Sequence, residues 1–89
     1  MDKKERDIVK TSYATVVKRR RAWLGFSQEK LAGEARLDRS TIQRVENRYS
    51  IPGETTIIKL AEGLNMSYGN FFEEVAQLIK AQLKEGEDQ

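Results

Sequence analysis

The chain contains neither cysteine nor histidine. Without thiols it has no disulfide staple and no zinc-thiolate site, and a reducing compartment is expected. Without imidazole it lacks the commonest metal ligand and the usual general base at neutral pH. No apolar run approaches the roughly 20 residues needed to cross a bilayer. The opening stretch Met1–Asp7 also lacks a signal peptide's apolar segment, so the cytoplasm is the expected address. Gly-rich phosphate loops and metal-ligand clusters are missing as well. Proline occurs once, at Pro52, where it is placed to end one segment and prepare the next. The 89 residues are read as one domain, near the size at which a single core suffices without staples.

Catalysis finds no carrier among the remaining residues. Ser27 and Lys30 form an S-x-x-K pair, the spacing of a nucleophile and its base one helical turn apart, but no second motif accompanies it. An N-cap serine followed by a surface lysine explains both residues. Glu73 and Glu74 are adjacent, and neighbours on a helix point about 100° apart, so they cannot share a proton or a water. No catalytic residue, metal, cofactor or small-molecule ligand is expected.

What is present is charge, unevenly placed. Residues 1–53 hold 13 Lys and Arg against 7 Asp and Glu, whereas residues 54–89 hold 3 against 7, so a first half of +6 adjoins a second half of −4. Such an asymmetry suits a protein with one surface facing a polyanion and another facing away from it.

Apolar spacing predicts helices throughout. Val9, Tyr13, Val16, Val17 and Leu24 mark a first helix beginning at Ile8 or Val9 and stopped by Gly25. Lys18–Arg20 are read as its solvated basic end. Ser27 caps a second helix to about Ala35, and Asp38 caps a third ending near Asn47. A fourth runs from about Glu54 to Leu64, with Asn65 suited to its C-cap, and Ser67 caps a fifth. On that last helix Tyr68, Phe71, Phe72, Val75, Leu78, Ile79 and Leu83 form a stripe broader than one neighbour requires. Phe71 is expected inside the monomer, with Phe72, Val75 and Ile79 shared across a homodimer. The ordered core is expected over about residues 8–84, with 1–6 and 85–89 flexible.

The central stretch Ser27–Asn47 carries the functional signal. Two short helices joined by a tight turn pack inward through Leu31, Ala32 and Ala35 and through Ile42 and Val45. Ala32 and Ala35 are small enough to let helices approach closely. Between Ile42 and Val45 and around them the second of the pair displays polar side chains, on a rod sized for the major groove of DNA. Arg39 and Ser40 stand at its N-terminus, with Arg44 one turn further on the same side, and the arginine fork matches guanine O6 and N7. Gln28, just inside the preceding helix, is placed to give an amide hydrogen bond to a phosphate.

The blocks S-Q-E-K-L-A, L-D-R-S-T-I-Q-R-V-E-N and P-G-E-T-T-I-I-K-L-A-E-G-L together resemble the helix-turn-helix domain of the phage Cro and repressor (XRE-type) family over roughly Val16–Phe72. Within that family the chain is most similar to the controller proteins of restriction-modification systems, in its short length, its L-D-R-S start to the recognition helix and its paired phenylalanines. The resemblance implies a lambda-repressor-like all-α domain of five helices, with the helix-turn-helix at the second and third. It also implies that Arg39, Ser40, Gln43 and Arg44 face the bases, that Gln28 and Thr41 hold phosphates, and that Arg48 and Tyr49 touch the backbone after the recognition helix. Arg21 and Glu46 would form a structural ion pair tying the first helix to the third.

Two positions depart from the family. Its usual turn glycine is Arg36 here, which must accept a left-handed conformation at a cost of about 1 kcal/mol or sit in a slightly different turn. A second common glycine is replaced by Arg48. Both place positive charge near the expected phosphate track, which adds Arg36 to the phosphate-binding candidates.

The sequence is therefore read as a homodimeric, sequence-specific regulator of transcription bound to double-stranded DNA at a pseudo-palindromic operator, cytoplasmic and nucleoid-associated, with no membrane partner. Alternatives are the antitoxin of a toxin pair, or a helical protein-interaction module that uses the fifth helix and no DNA.

Overall fold

The computed structural model describes residues 1–87, with side chains through Glu85. The described residues form five helices and no strand: α1 (Lys3–Leu24), α2 (Gln28–Ala35), α3 (Arg39–Glu46), α4 (Glu54–Gly63) and α5 (Tyr68–Glu87). None of them is long and apolar enough to cross a membrane. Of the expected flexible tail, residues 85–87 continue α5, and residues 88–89 lie outside the described range.

The first helix starts five residues earlier than its apolar spacing suggested. Asp2 accepts the backbone N–H of Glu5 at 2.8 Å, and the Glu5 carboxylate accepts the backbone N–H of Asp2 at 3.1 Å. This reciprocal cap satisfies two otherwise orphaned amides and draws residues 3–6, expected to fray, into the first turn. The expectation relied on buried apolar residues, and this turn is held by polar ones.

Ser27 and Ser67 cap as expected, accepting the amides of Lys30 and Asn70 at 3.0 Å each. Asp38 occupies the N-cap position of α3 with extended backbone, but its side chain makes no capping hydrogen bond.

Four helices end in the same left-handed motif. The residues in that conformation are Gly25 (φ 73°), Arg36 (56°), Arg48 (62°) and Asn65 (57°). In each case that residue and the next return their N–H groups to the last turn: Arg36 and Leu37 donate to the carbonyls of Gly33 and Ala32, and Arg48 and Tyr49 to those of Val45 and Arg44. These are Schellman closures, which satisfy carbonyls the helix itself leaves open. Of the two conformations open to Arg36, the left-handed one is adopted.

The core joins all five helices. Phe71, Leu31, Ile42, Leu60, Leu64, Val16, Val17 and Val75 are fully buried, and Tyr13 packs its ring 6.2 Å from that of Phe71. Helix α1 lies against α5 and α3, and α2 against α3 and α4. Inside the α1–α5 contact the buried Ser12 hydroxyl donates to the Ile8 carbonyl and accepts from the Gln82 amide. Ala35 is also close to α4: a Cβ on Gly63 would lie 2.7 Å from the Ala35 Cβ. The α2–α4 approach thus depends on a glycine and an alanine facing each other.

Val75 is fully buried within the monomer, so it cannot be shared across a dimer as expected. Its position on the stripe is the one turned toward the core, one turn after Phe71. Ile79 is half-buried against the same core, whereas Phe72 and Tyr68 remain 46% and 45% exposed, their rings stacked 6.3 Å apart.

Candidate nucleic-acid interface

Helix α3 is divided lengthwise. Ile42, Val45 and Glu46 are buried, while Arg39, Ser40 and Arg44 are exposed and Gln43 and Thr41 lie half-buried at the margin. The division follows from the 3.6-residue period, which places 42, 45 and 46 on one side and 39, 40, 43 and 44 on the other. Neither Arg39 nor Arg44 forms an ion pair among the described residues, so both guanidinium groups keep their donors for an external acceptor.

The inner side is fixed by a polar lock. Arg21 Nε and Nη2 donate to the two carboxylate oxygens of Glu46 at 2.8 and 2.9 Å, and Arg21 Nη1 donates to the Phe26 carbonyl at 2.9 Å. The hydrogen bond to Glu46 raises the Arg21 pKa, outweighing the opposing effect of burial. Glu46, with 2% of its side chain exposed, is a buried carboxylate whose charge is met by a two-pronged partner. The implied ion pair therefore exists, and it ties α1 and the α1–α2 turn to the end of α3.

Gln28 shares this lock, donating Nε2 to Glu46 Oε1 at 3.0 Å. That bond leaves one amide hydrogen of Gln28 free to donate to a phosphate oxygen. Sequence reasoning treated Gln28 and Glu46 as separate in role; they are 18 residues apart, and only packing brings them together.

Thr41 and Arg44 line a shallow polar hollow of about 240 Å³ with Ser50, Gly53 and Thr56. Gly53 is the N-cap of α4 and carries no capping side chain, so the first amides of α4 open beside these residues. Hydroxyls, a guanidinium and free amides together suit an anionic oxygen. Tyr49 is 73% exposed beyond the end of α3, and Arg48 is exposed beside it.

Arg36 lies elsewhere. Its Nη2 is 2.9 Å from Glu62 Oε2 of α4, so the turn directs it toward α4 rather than along the polar side of α3. That pair is exposed on both sides and worth about 0–1 kcal/mol.

The basic end of α1 is more than a solvated terminus. Consecutive helical residues point about 100° apart, so Arg19, Arg20 and Arg21 face three directions. Arg19 is exposed and Arg21 turns to Glu46, while Arg20 donates to the carbonyls of Leu64 and Asn65 at 2.9 and 3.1 Å and lies 4.4 Å from the Trp23 ring. It caps the end of α4 instead of standing free in solvent. Its partners are 44 and 45 residues away in the chain, and no local pattern signals them.

The helix-turn-helix family model matches residues 17–70 of this chain. Among solved structures, the wild-type restriction-modification controller protein C.Esp1396I is 27% identical with a TM-score of 0.74, over 82% of this chain and 95% of that chain. A tyrosine-to-phenylalanine mutant of the same controller protein is 32% identical with a TM-score of 0.71, over 85% and 92% of the two chains. No curated protein sequence matches.

Proposed function

Because the chain belongs to the helix-turn-helix family and is a DNA-binding regulator of that type, we propose that it controls transcription as a homodimer bound sequence-specifically to a pseudo-palindromic operator, in the manner of a restriction-modification controller. The observation that carries this reading is the lengthwise division of α3, whose outer side presents Arg39, Ser40, Gln43 and Arg44 with both arginines unpaired. These four read base edges in the major groove. Gln28, steadied by Glu46, and Thr41, beside the open end of α4, grip phosphates, with Arg48 and Tyr49 on the backbone beyond. Arg36 is left out of this set because its guanidinium is turned toward Glu62 of α4.

The homodimer uses the exposed ring pair Tyr68 and Phe72 with the margin of Ile79. Tyr68 and Phe72 are already about half-buried, so covering them against a second copy contributes on the order of 1 kcal/mol each. Two-fold symmetry then sets two copies of α3 about 34 Å apart, one turn of the duplex. A regulator of this kind acts in the cytoplasm, at the nucleoid.

The test is selection of bound sites from random duplex, followed by titration of variants. Pseudo-palindromic sites with half-sites one turn apart are expected. Arg44→Ala should flatten preference among sequences by about 1–3 kcal/mol at its base pair, and Gln28→Ala should weaken all sequences alike. Sedimentation of Phe72→Glu should show a monomer. If neither Arg44→Ala nor Gln28→Ala alters duplex binding, the assignment of α3 as the reading helix is wrong.

A further inference from the structure

The N-terminal half of α1 lies outside the residues that match the family model, yet it reaches the edge of the interface. Asp7, Lys10 and Thr11 of α1 line a polar cleft of about 390 Å³ together with Asn47 and Arg48 at the end of α3. Arg48 is held in its left-handed conformation by the closure of α3, which fixes where its side chain leaves the backbone. Among the described residues the side chains of Lys10, Thr11, Asn47 and Arg48 form no ion pair or hydrogen bond with another protein group. Two cations, an amide and a hydroxyl on one concave surface have the chemistry of an anion site, with donors that a phosphate oxygen satisfies better than water does.

The surface is continuous with the reading helix. Asn47 lies one turn beyond Gln43, and Arg48 directly follows, so an anion in the cleft sits at the end of the base-facing side of α3. A duplex seated on that side brings backbone phosphates there, which favours DNA over a free anion as the occupant. Asp7 lines the same cleft and is the one carboxylate in it, opposing the charge of a phosphate.

We propose that α1, through Lys10 acting with Asn47 and Arg48, binds a backbone phosphate of the operator duplex beyond the base pairs read by α3, and that Asp7 weakens this contact. The inference rests on the DNA-binding reading above. It gives the chain a footprint wider than the matched helix-turn-helix segment provides.

The experiment is fluorescence anisotropy with the selected operator duplex over a series of salt concentrations, comparing the native chain with Lys10→Gln, Asp7→Asn and Lys84→Gln. Lys84 is exposed on α5, two residues from Gln82 and so about 200° around the helix from it, and its variant reports the effect of charge alone. Lys10→Gln should reduce the slope of log affinity against log salt by about 0.9 for each half-site and weaken all sequences alike. Asp7→Asn should strengthen binding at every salt concentration. If the effects of Lys10→Gln and Asp7→Asn do not exceed that of Lys84→Gln, α1 does not touch the duplex and the proposal fails, while steep salt-dependent binding by the native chain leaves the function intact. If the native chain binds no duplex, both readings fail together. Thermal melting of each variant separates a lost contact from a lost fold; should Lys10→Gln not fold, Asp7→Asn decides the question.

Discussion

Both sides of α3 carry charged residues, and the two sides meet different partners. On the inner side Glu46 is buried and meets Arg21 and Gln28; on the outer side Arg39 and Arg44 are exposed and meet no protein acceptor. A charge inside must be matched in the folded chain, because removing it from water otherwise costs several kcal/mol. A charge outside remains hydrated until a ligand arrives. On one eight-residue helix, therefore, the surroundings of a charged residue rather than its type decide whether it serves the fold or stays available to a ligand.

Arg21→Ala tests the inner side and has the largest expected effect. It strands the Glu46 carboxylate in the core and should lower unfolding free energy by about 3–5 kcal/mol in a denaturant titration. The sequence preference of whatever fraction remains folded should be unchanged. Arg44→Ala is the matching change outside, with about 1–3 kcal/mol of base discrimination lost and stability within about 0.5 kcal/mol of native. If Arg44→Ala instead unfolds the chain, the proposed division of labour is incorrect.

A smaller pair of changes sharpens the comparison at the two ends of α3. Arg36 and Arg48 share a left-handed conformation, but Arg36 pairs with Glu62 and Arg48 pairs with nothing among the described residues. Either arginine replaced by glycine relieves about 1 kcal/mol of backbone strain. Arg36→Gly should leave DNA affinity as it was, its gain reduced by loss of the exposed pair. Arg48→Gly should gain stability and lose affinity, as calorimetry and anisotropy would show together.

The smallest effect concerns the core behind both sides. Burial, with a lesser contribution from Tyr68, holds the Tyr13 phenol above the usual tyrosine value. The folded chain therefore keeps a proton that the unfolded chain releases, and stability present below about pH 10 should fall as pH rises past it. Melting temperatures across pH 9–11 should show a shallower decline in Tyr13→Phe than in the native chain.

Much of this arrangement was legible in residue order. Gly25, Ser27, Asn65 and Ser67 mark helix boundaries because capping and left-handed closure act within about five residues of the chain. The polar side of α3 was legible for the same reason, since helical period alone separates 39, 40, 43 and 44 from 42, 45 and 46. Val75 was misplaced because an apolar stripe shows which residues avoid water but not whether a neighbouring helix or a second copy covers them. The role of Arg20 is not legible locally, because its acceptors belong to the far end of α4.

Five helices, most of their caps and the residues α3 offers outward follow from contacts between near neighbours in the chain. Helix packing, by contrast, sets Gln28 on Glu46, turns Arg36 to Glu62 while Arg20 closes α4, requires Gly63 to admit Ala35, and brings Lys10 into a cleft with Arg48. Those pairings join residues 18 to 45 positions apart. They form only when helix packing brings their faces together, and no local pattern of residues encodes where a packed helix will bring its neighbour.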